Sequence, residues 1–140
     1  MTVPSVSISI LNYQRKETLR VTLERALMQD YSGLEVLVVD NASTDGSGRM
    51  VEDEFPSVRL VRLPENIGCA ARNAGVAAAK GEIVVTIDND VLLMTPEDVR
   101  KAVEIFETHP SVACVNFKIL DAAGNLSTRD WCHPRDWRRV

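Results

Sequence analysis

The chain has 140 residues, 45% hydrophobic and 26% charged, which predicts a single globular domain with an ordinary core. A net charge of −4 and an aromatic content of 5% argue against a nucleic-acid surface, which needs excess Lys and Arg and stacking rings. The N-terminus lacks a basic and then apolar leader, and no apolar run approaches the roughly 18 residues that span a bilayer.

The elements follow in alternation. Val6 to Leu11 is a short strand with Val6, Ile8 and Ile10 on one face. Leu19, Leu23, Ala26 and Leu27 recur at helical spacing, so Glu17 to Gln29 reads as an amphipathic helix. Leu34–Val39 is a continuous apolar run of the kind buried on both faces of a parallel sheet. A polar loop from Asp40 to Gly46 leads into a short helix over Ser47 to Phe55, and Val58 to Leu63 makes a third strand. Ile67 to Lys80, rich in Ala and Gly, reads as a closely packed helix, and Gly81 separates it from a fourth strand, Glu82–Ile87. Thr95-Pro96-Glu97-Asp98 opens another helix, with Thr95 as the expected cap and Val99, Val103 and Phe106 on its apolar side. His109-Pro110 stops it, Val112–Leu120 is a predicted fifth strand, and Asp121 to Asn125 is a turn.

This order predicts an α/β fold: a mainly parallel sheet, Rossmann-like, flanked by helices. Ligands of such sheets gather beyond the carboxyl ends of the strands. Asn12-Tyr13, Asp40-Asn41 and Asp88-Asn89-Asp90 all fall there, which points to one site. Carboxylates at i and i+2 after a strand suit a hard cation such as Mg²⁺ or Mn²⁺, and that ion suits diphosphate oxygens. Asp-x-Asp is also a common turn or helix cap, and Ser43, Thr44 and Asp45 are equally good local turn formers. In Asn66 to Gly75, the small residues allow close backbone approach and Arg72 is able to bind a diphosphate, although packing against the sheet explains the same alanines. The three cysteines, Cys69, Cys114 and Cys132, show no CxxC pair, which disfavours a disulfide scaffold and fits a reducing cytoplasm. Cys132-His133 alone is too few ligands for a metal site.

Taken together, four segments resemble the family 2 glycosyltransferases. They are Val6 to Arg15, Val38 to Gly46, Glu65 to Gly75 with its N-x-G…R-N-x-G pattern, and Asp88-Asn89-Asp90 as the D-x-D motif. The resemblance implies a GT-A fold whose residues 1–120 bind a nucleotide-diphosphate sugar, UDP- or dTDP-linked. Residues 121–140 would begin the acceptor side, the chain ending before the acceptor-binding half. It further implies that Asn12 and Tyr13 line the base pocket, that Asp40 with Asn41 holds the nucleobase, and that Asn66 and Arg72 face the nucleotide or its diphosphate. Asp88 and Asn89 would lie on the sugar side, and Asp90 with Asp88 would hold Mn²⁺ or Mg²⁺. Transfer would proceed with inversion to a glycan, lipid or protein acceptor.

Two departures stand out against the family pattern. Gln14 occupies a position where many relatives carry Asn, and no segment matches the acidic general base, a contribution worth about 10²–10⁴ in rate. Asp121, Asp130 and Asp136 follow the fifth predicted strand without its surroundings. The tail from Leu126 to Val140, with Trp131, His133 and Trp137, is expected to be disordered or partly ordered. A non-catalytic nucleotide-sugar-binding module is therefore the alternative reading. A sugar nucleotidyltransferase ranks lower, because its phosphate loop needs glycine after the first strand and Asn12 to Lys16 has none. The expected location is the cytoplasm, with membrane association through a longer parent protein.

Overall fold

The alternation in Val6-Ser7-Ile8-Ser9-Ile10 produces the central strand of a parallel sheet in the computed structural model, which describes residues 3–92, 94–118, 120–121 and 123–125. Strands β1 (Val6–Asn12), β2 (Leu34–Asp40), β3 (Arg59–Arg62) and β4 (Ile83–Asp88) are arranged in the order β3-β2-β1-β4. All three pairings are parallel. Helices α1 (Lys16–Leu27), α2 (Ser47–Glu54), α3 (Ala71–Ala78) and α4 (Asp98–Thr108) connect and follow them.

The two faces of the sheet are covered differently. Val6, Ile8, Ile10, Val36, Val38 and Val85 form one core with Leu19, Leu23 and Ala26 of α1, Met50 and Val51 of α2, and Val99 and Val103 of α4. Burying each Val, Leu, Ile or Met of this set fully is worth about 1.5–3 kcal/mol. The other face carries Ser7 and Ser9, and small residues there let α3 approach closely. A methyl group on Gly75 would overlap Ser9 Oγ and lie 3.0 Å from Val39 Cγ2. Compositional bias toward Ala and Gly in this segment thus has a packing cause.

A polar cluster fastens the opposite, N-terminal end of the sheet. Ser7 Oγ donates to Glu35 Oε2 at 2.6 Å, the Lys80 N–H donates to the same oxygen at 3.0 Å, and Arg59 pairs with Glu35 at 2.9 Å. Arg59 also donates to the Ala78 carbonyl. One carboxylate therefore joins β1, β2, β3 and the α3–β4 connection. Burial alone would raise the Glu35 pKa, but the Ser7 and Lys80 hydrogen bonds and the Arg59 charge outweigh it and hold the carboxyl below its usual value.

Several boundaries depart from the sequence expectation. β1, β2 and β4 each run on by one residue, to Asn12, Asp40 and Asp88, because these polar residues continue the sheet ladder and turn their side chains to its end. Helix α3 starts only at Ala71, after a 3₁₀ turn over Gly68–Ala70. Thr95 does not cap α4; its hydroxyl donates to Asp98 Oδ1 at 2.7 Å. The cap comes instead from the turn after α1, where buried Gln29 accepts the Val99 N–H at 3.0 Å and donates to the Thr95 carbonyl at 2.6 Å. The expected fifth strand does not form over 112–118. An extended segment becomes a strand only through ladder hydrogen bonds to a neighbour, and among the described residues the sheet ends at β4, with residues 112–118 unpaired to its outer edge. Residues 126–140, with Trp131, Cys132, His133 and Trp137, lie outside the described residues.

Two expectations follow for stability. Because the folded pKa of Glu35 is depressed, its stabilisation is fully present above the unfolded value, about 4.3. It is lost as pH falls from there through the folded pKa. Urea midpoints should therefore drop below about pH 4.5 in the wild type, and Glu35→Gln should have a lower midpoint at neutral pH with a shallower acid decline. For Gly75→Ala, overpacking of about 1–3 kcal/mol exceeds the roughly 1 kcal/mol that Ala gains over Gly in a helix. Its midpoint should fall, and adding Ser9→Ala should restore part of it; an unchanged midpoint would show that α3 has room to lift.

Candidate functional site

Parallel register brings the sequence clusters together. Asn12 lies opposite Asp40, and Leu11 opposite Asp88, so the loops after β1, β2 and β4 leave the sheet side by side. Asn12 is completely buried, and Asp40, Asn41 and Asn89 are 3%, 2% and 8% exposed. Buried amides and carboxylates need partners, and these find them in one another. Asn12 Nδ2 donates to Asp40 Oδ1 at 3.3 Å and to Ser43 Oγ at 3.1 Å. Its Oδ1 accepts from Asn89 Nδ2 at 2.7 Å. Asn89 in turn donates to the Gln14 carbonyl, and its own carbonyl accepts from Thr22 of α1 at 3.0 Å.

A second amide, Asn41, organises the neighbouring loop. Its Nδ2 donates to Asn66 Oδ1 at 2.7 Å and to the Gly68 carbonyl, and its Oδ1 accepts the Ile67 N–H at 3.0 Å. Asn66 Oδ1 also accepts the Gly68 N–H, where φ is +62°. The start of the 3₁₀ turn and α3, and hence the placement of Arg72, is thereby tied to the end of β2.

Gln14, Arg15 and Ala42 occupy the left-handed region, with φ of 59°, 62° and 62°. This conformation costs about 1–2 kcal/mol for a residue with a Cβ. Asn tolerates it better than Gln, and the loop compensates: the Gln14 N–H donates to Ser43 Oγ at 2.9 Å, and the Gln14 amide exchanges hydrogen bonds with Thr44. Asp45 accepts the Lys16 N–H at 2.8 Å and the Ser47 N–H at 2.9 Å, serving the starts of α1 and α2 at once. Burial would raise its pKa, but the Ser47 hydroxyl and these N–H donors bring it below the ordinary value.

Exposed groups line this scaffold. Tyr13, which directly follows β1, is 47% exposed. Asp88 is paired with Arg72, and Asp90 accepts from Arg15 Nη1 at 3.0 Å. Arg15 has no role in the sequence reading; its position after a strand and before a helix is unremarkable until the loop's left-handed turn aims it at β4. Asp88 and Asp90 are the only carboxylates of the motif, and no cluster of three or more His, Cys, Asp or Glu suited to a metal occurs among the described residues. That donor set fits Mg²⁺ or Mn²⁺ bound with phosphate oxygens and water, since such ions commonly take only one or two protein carboxylates. Of the acidic residues considered after the fifth predicted strand, Asp121 accepts the Asn125 and Ala123 N–H groups in a turn. The Asn125 N–H leads in holding its pKa below normal, the wrong direction for a general base. Asp130 and Asp136 lie outside the described residues.

No helix among the described residues is long and apolar enough to cross a membrane. The succinoglycan biosynthesis protein ExoO of Rhizobium meliloti (strain 1021) is 36% identical over 104 residues, covering 73% of this chain and 30% of ExoO. Chondroitin synthase of Escherichia coli is 30% identical over 137 residues, covering 94% of this chain and 20% of the synthase. Among solved structures, the mannosyltransferase PcManGT of Pyrobaculum calidifontis, in complex with GDP-Man and Mn²⁺, superposes with a TM-score of 0.73 at 33% identity. That match covers 84% of this chain and 37% of PcManGT. S. aureus TarS 1–349 in complex with UDP-GlcNAc gives a TM-score of 0.68 at 26% identity, over 76% of this chain and 32% of TarS. These neighbours share the GT-A fold, and the chain spans well under half the length of each protein named here. The family described as Glycosyl transferase family 2 matches residues 7–139, nearly the whole chain, with all four sequence segments inside that range or overlapping it, and the chain belongs to that family.

Proposed function

We propose that residues 1–120 form the donor-binding unit of a glycosyltransferase that takes a nucleotide-diphosphate sugar and transfers the sugar, with inversion, to an acceptor hydroxyl of a glycan, lipid or protein. Residues 121–140 then lead toward the acceptor side, and the domain works in the cytoplasm. The observation that carries the reading is the meeting of Asp88 and Asp90 with Arg72 and Arg15 beside a buried amide network at the ends of β1, β2 and β4. The family match and the nucleotide-sugar complexes of PcManGT and TarS support it.

Each group has a distinct task in this reading. Tyr13 offers an exposed ring as one wall of the nucleobase pocket. Asp40 accepts from Asn12 and Ser43 on Oδ1, and in this reading its second oxygen accepts a nucleobase N–H. Asn12, Asn41 and Asn89 keep that wall rigid, with Asn66 holding the turn that delivers Arg72 to the diphosphate. Asp90, with Asp88, holds Mn²⁺ or Mg²⁺. When bound, that ion stabilises negative charge on the departing diphosphate. Donor capture is the property that these residues supply; deprotonating the acceptor falls to a group outside this set.

Calorimetric titration of UDP, dTDP and GDP, with and without Mn²⁺, tests the reading. Wild-type chain should bind at least one of them more tightly with the metal, and Asp90→Asn should abolish the metal enhancement while leaving metal-free binding within about twofold, as expected of a lost cation ligand. Absence of binding by folded chain under every condition would sink the proposal. Tyr13→Ala should weaken nucleotide by the roughly 1–3 kcal/mol that base stacking contributes, equally with and without Mn²⁺; a loss confined to the metal-bound state would place Tyr13 elsewhere.

A further inference from the structure

Resting on the donor-site reading above, we propose that Arg15 is an exchangeable counter-ion: it pairs with Asp90 when no divalent cation is bound, and turns to the donor's diphosphate when the cation takes that carboxylate.

The charges in the site suggest the exchange. Asp88 and Asp90 are matched one to one by Arg72 and Arg15, so the four side chains sum to zero. A divalent cation on the aspartates leaves two guanidinium charges uncompensated. A diphosphate joining nucleoside to sugar carries one negative charge per phosphate, which restores neutrality. Guanidinium suits both partners, because its planar fork matches carboxylate and phosphate oxygens alike.

The geometry permits it. The Arg15 and Asp90 side chains are 62% and 51% exposed, so the pair is solvent-screened and amounts to no more than about a fivefold factor in an equilibrium. It is readily displaced. The Arg15 backbone, by contrast, is held independently of its side chain. Gln14 N–H donates to Ser43, Lys16 N–H to Asp45, and the Arg15 carbonyl accepts the Leu19 N–H at 3.0 Å as α1 begins. The guanidinium is free to change partner while the loop stays where it is. The Glu35–Arg59 pair is different: its carboxylate is only 23% exposed and also bonded to Ser7 and Lys80, so it has no comparable freedom.

The test compares wild type with Arg15→Gln and Arg15→Lys in the full chain, with circular dichroism as the check on folding. Mn²⁺ alone is titrated first and followed by the paramagnetic resonance of the free ion. Arg15→Gln should bind Mn²⁺ about two- to fivefold more tightly, since the competitor is gone, and high salt should shrink the difference. UDP and GDP are then titrated at saturating Mn²⁺, where Arg15→Gln should bind about tenfold or more weakly through the lost charge-assisted hydrogen bond. Arg15→Lys keeps the charge and should leave Mn²⁺ affinity near wild type with a smaller nucleotide loss. Opposite signs for metal and nucleotide are the signature, because general damage to the site weakens both. Unchanged or weaker Mn²⁺ binding in Arg15→Gln overturns the exchange, as does unchanged nucleotide binding. Should Arg15→Gln fail to fold, wild-type nucleotide affinity in Arg15→Lys overturns it and weakened affinity at unchanged Mn²⁺ binding supports it. If wild type binds nucleotide with Mn²⁺ while the variants match it, only the exchange fails; if wild type binds neither, the donor-site reading fails with it.

Discussion

A fully buried amide at the end of β1 sets the geometry on which the site depends. Asn12 has two N–H donors and one carbonyl oxygen, and out of contact with water each must meet a partner inside the protein. It meets Asp40 and Ser43 after β2 on one side and Asn89 after β4 on the other. A hydrophobic residue here would take one hydrogen bond from each of these partners, at about 0.5–1.5 kcal/mol each, and would leave each with its remaining contact alone. The amide thus fixes how three strand ends stand relative to one another, and the exposed residues at the candidate site inherit that order.

The interior amides and the surface ion pairs divide the work between rigidity and exchange. Asn12, Asn41 and Asn89 are buried and committed to protein partners, so their energy goes into shape. Arg15, Arg72, Asp88 and Asp90 are exposed enough for water and ions to screen their pairs. The middle residue of Asp88-Asn89-Asp90 connects the two sets, with a buried amide between two carboxylates whose backbone it anchors to Thr22 of α1. Left-handed backbone at Gln14, Arg15 and Ala42 concentrates where these loops meet, and the hydrogen bonds of Ser43, Thr44 and Asp45 offset its cost.

The fold keeps a separate fastening at the other end of the sheet. Glu35 and Arg59 join the strands there, away from the loops that carry the site, and Gly75 allows α3 to seat on Ser9. The fastening of the sheet and the candidate site therefore draw on different residues, even where both use a carboxylate and a guanidinium. What separates them is burial and the number of additional hydrogen bonds each carboxylate accepts.

Much of this was legible in residue order. Period-two spacing in β1 and the apolar run of β2 gave the strands, Leu19, Leu23 and Ala26 gave α1, and the polar residues after three strands marked the end of the sheet where they meet. Local patterns carry such information because side-chain periodicity and backbone geometry are coupled within a few residues. The fifth predicted strand shows the limit: Val112–Leu120 has strand character, but a strand exists only through a neighbour's hydrogen bonds, and composition says nothing of the neighbour. Likewise, sequence marked Asn12 and Asp40 as site residues without showing that they face each other. It offered Thr95 as a cap where Gln29, far away along the chain, does that service, and it placed Arg15 in a family-like segment without giving it a role. Sequence by itself determined the four strands and four helices, their order and the family. Which polar groups are buried against each other, and which charges remain exposed to exchange partners, was decided only when parallel pairing set residues dozens of positions apart at hydrogen-bonding distance.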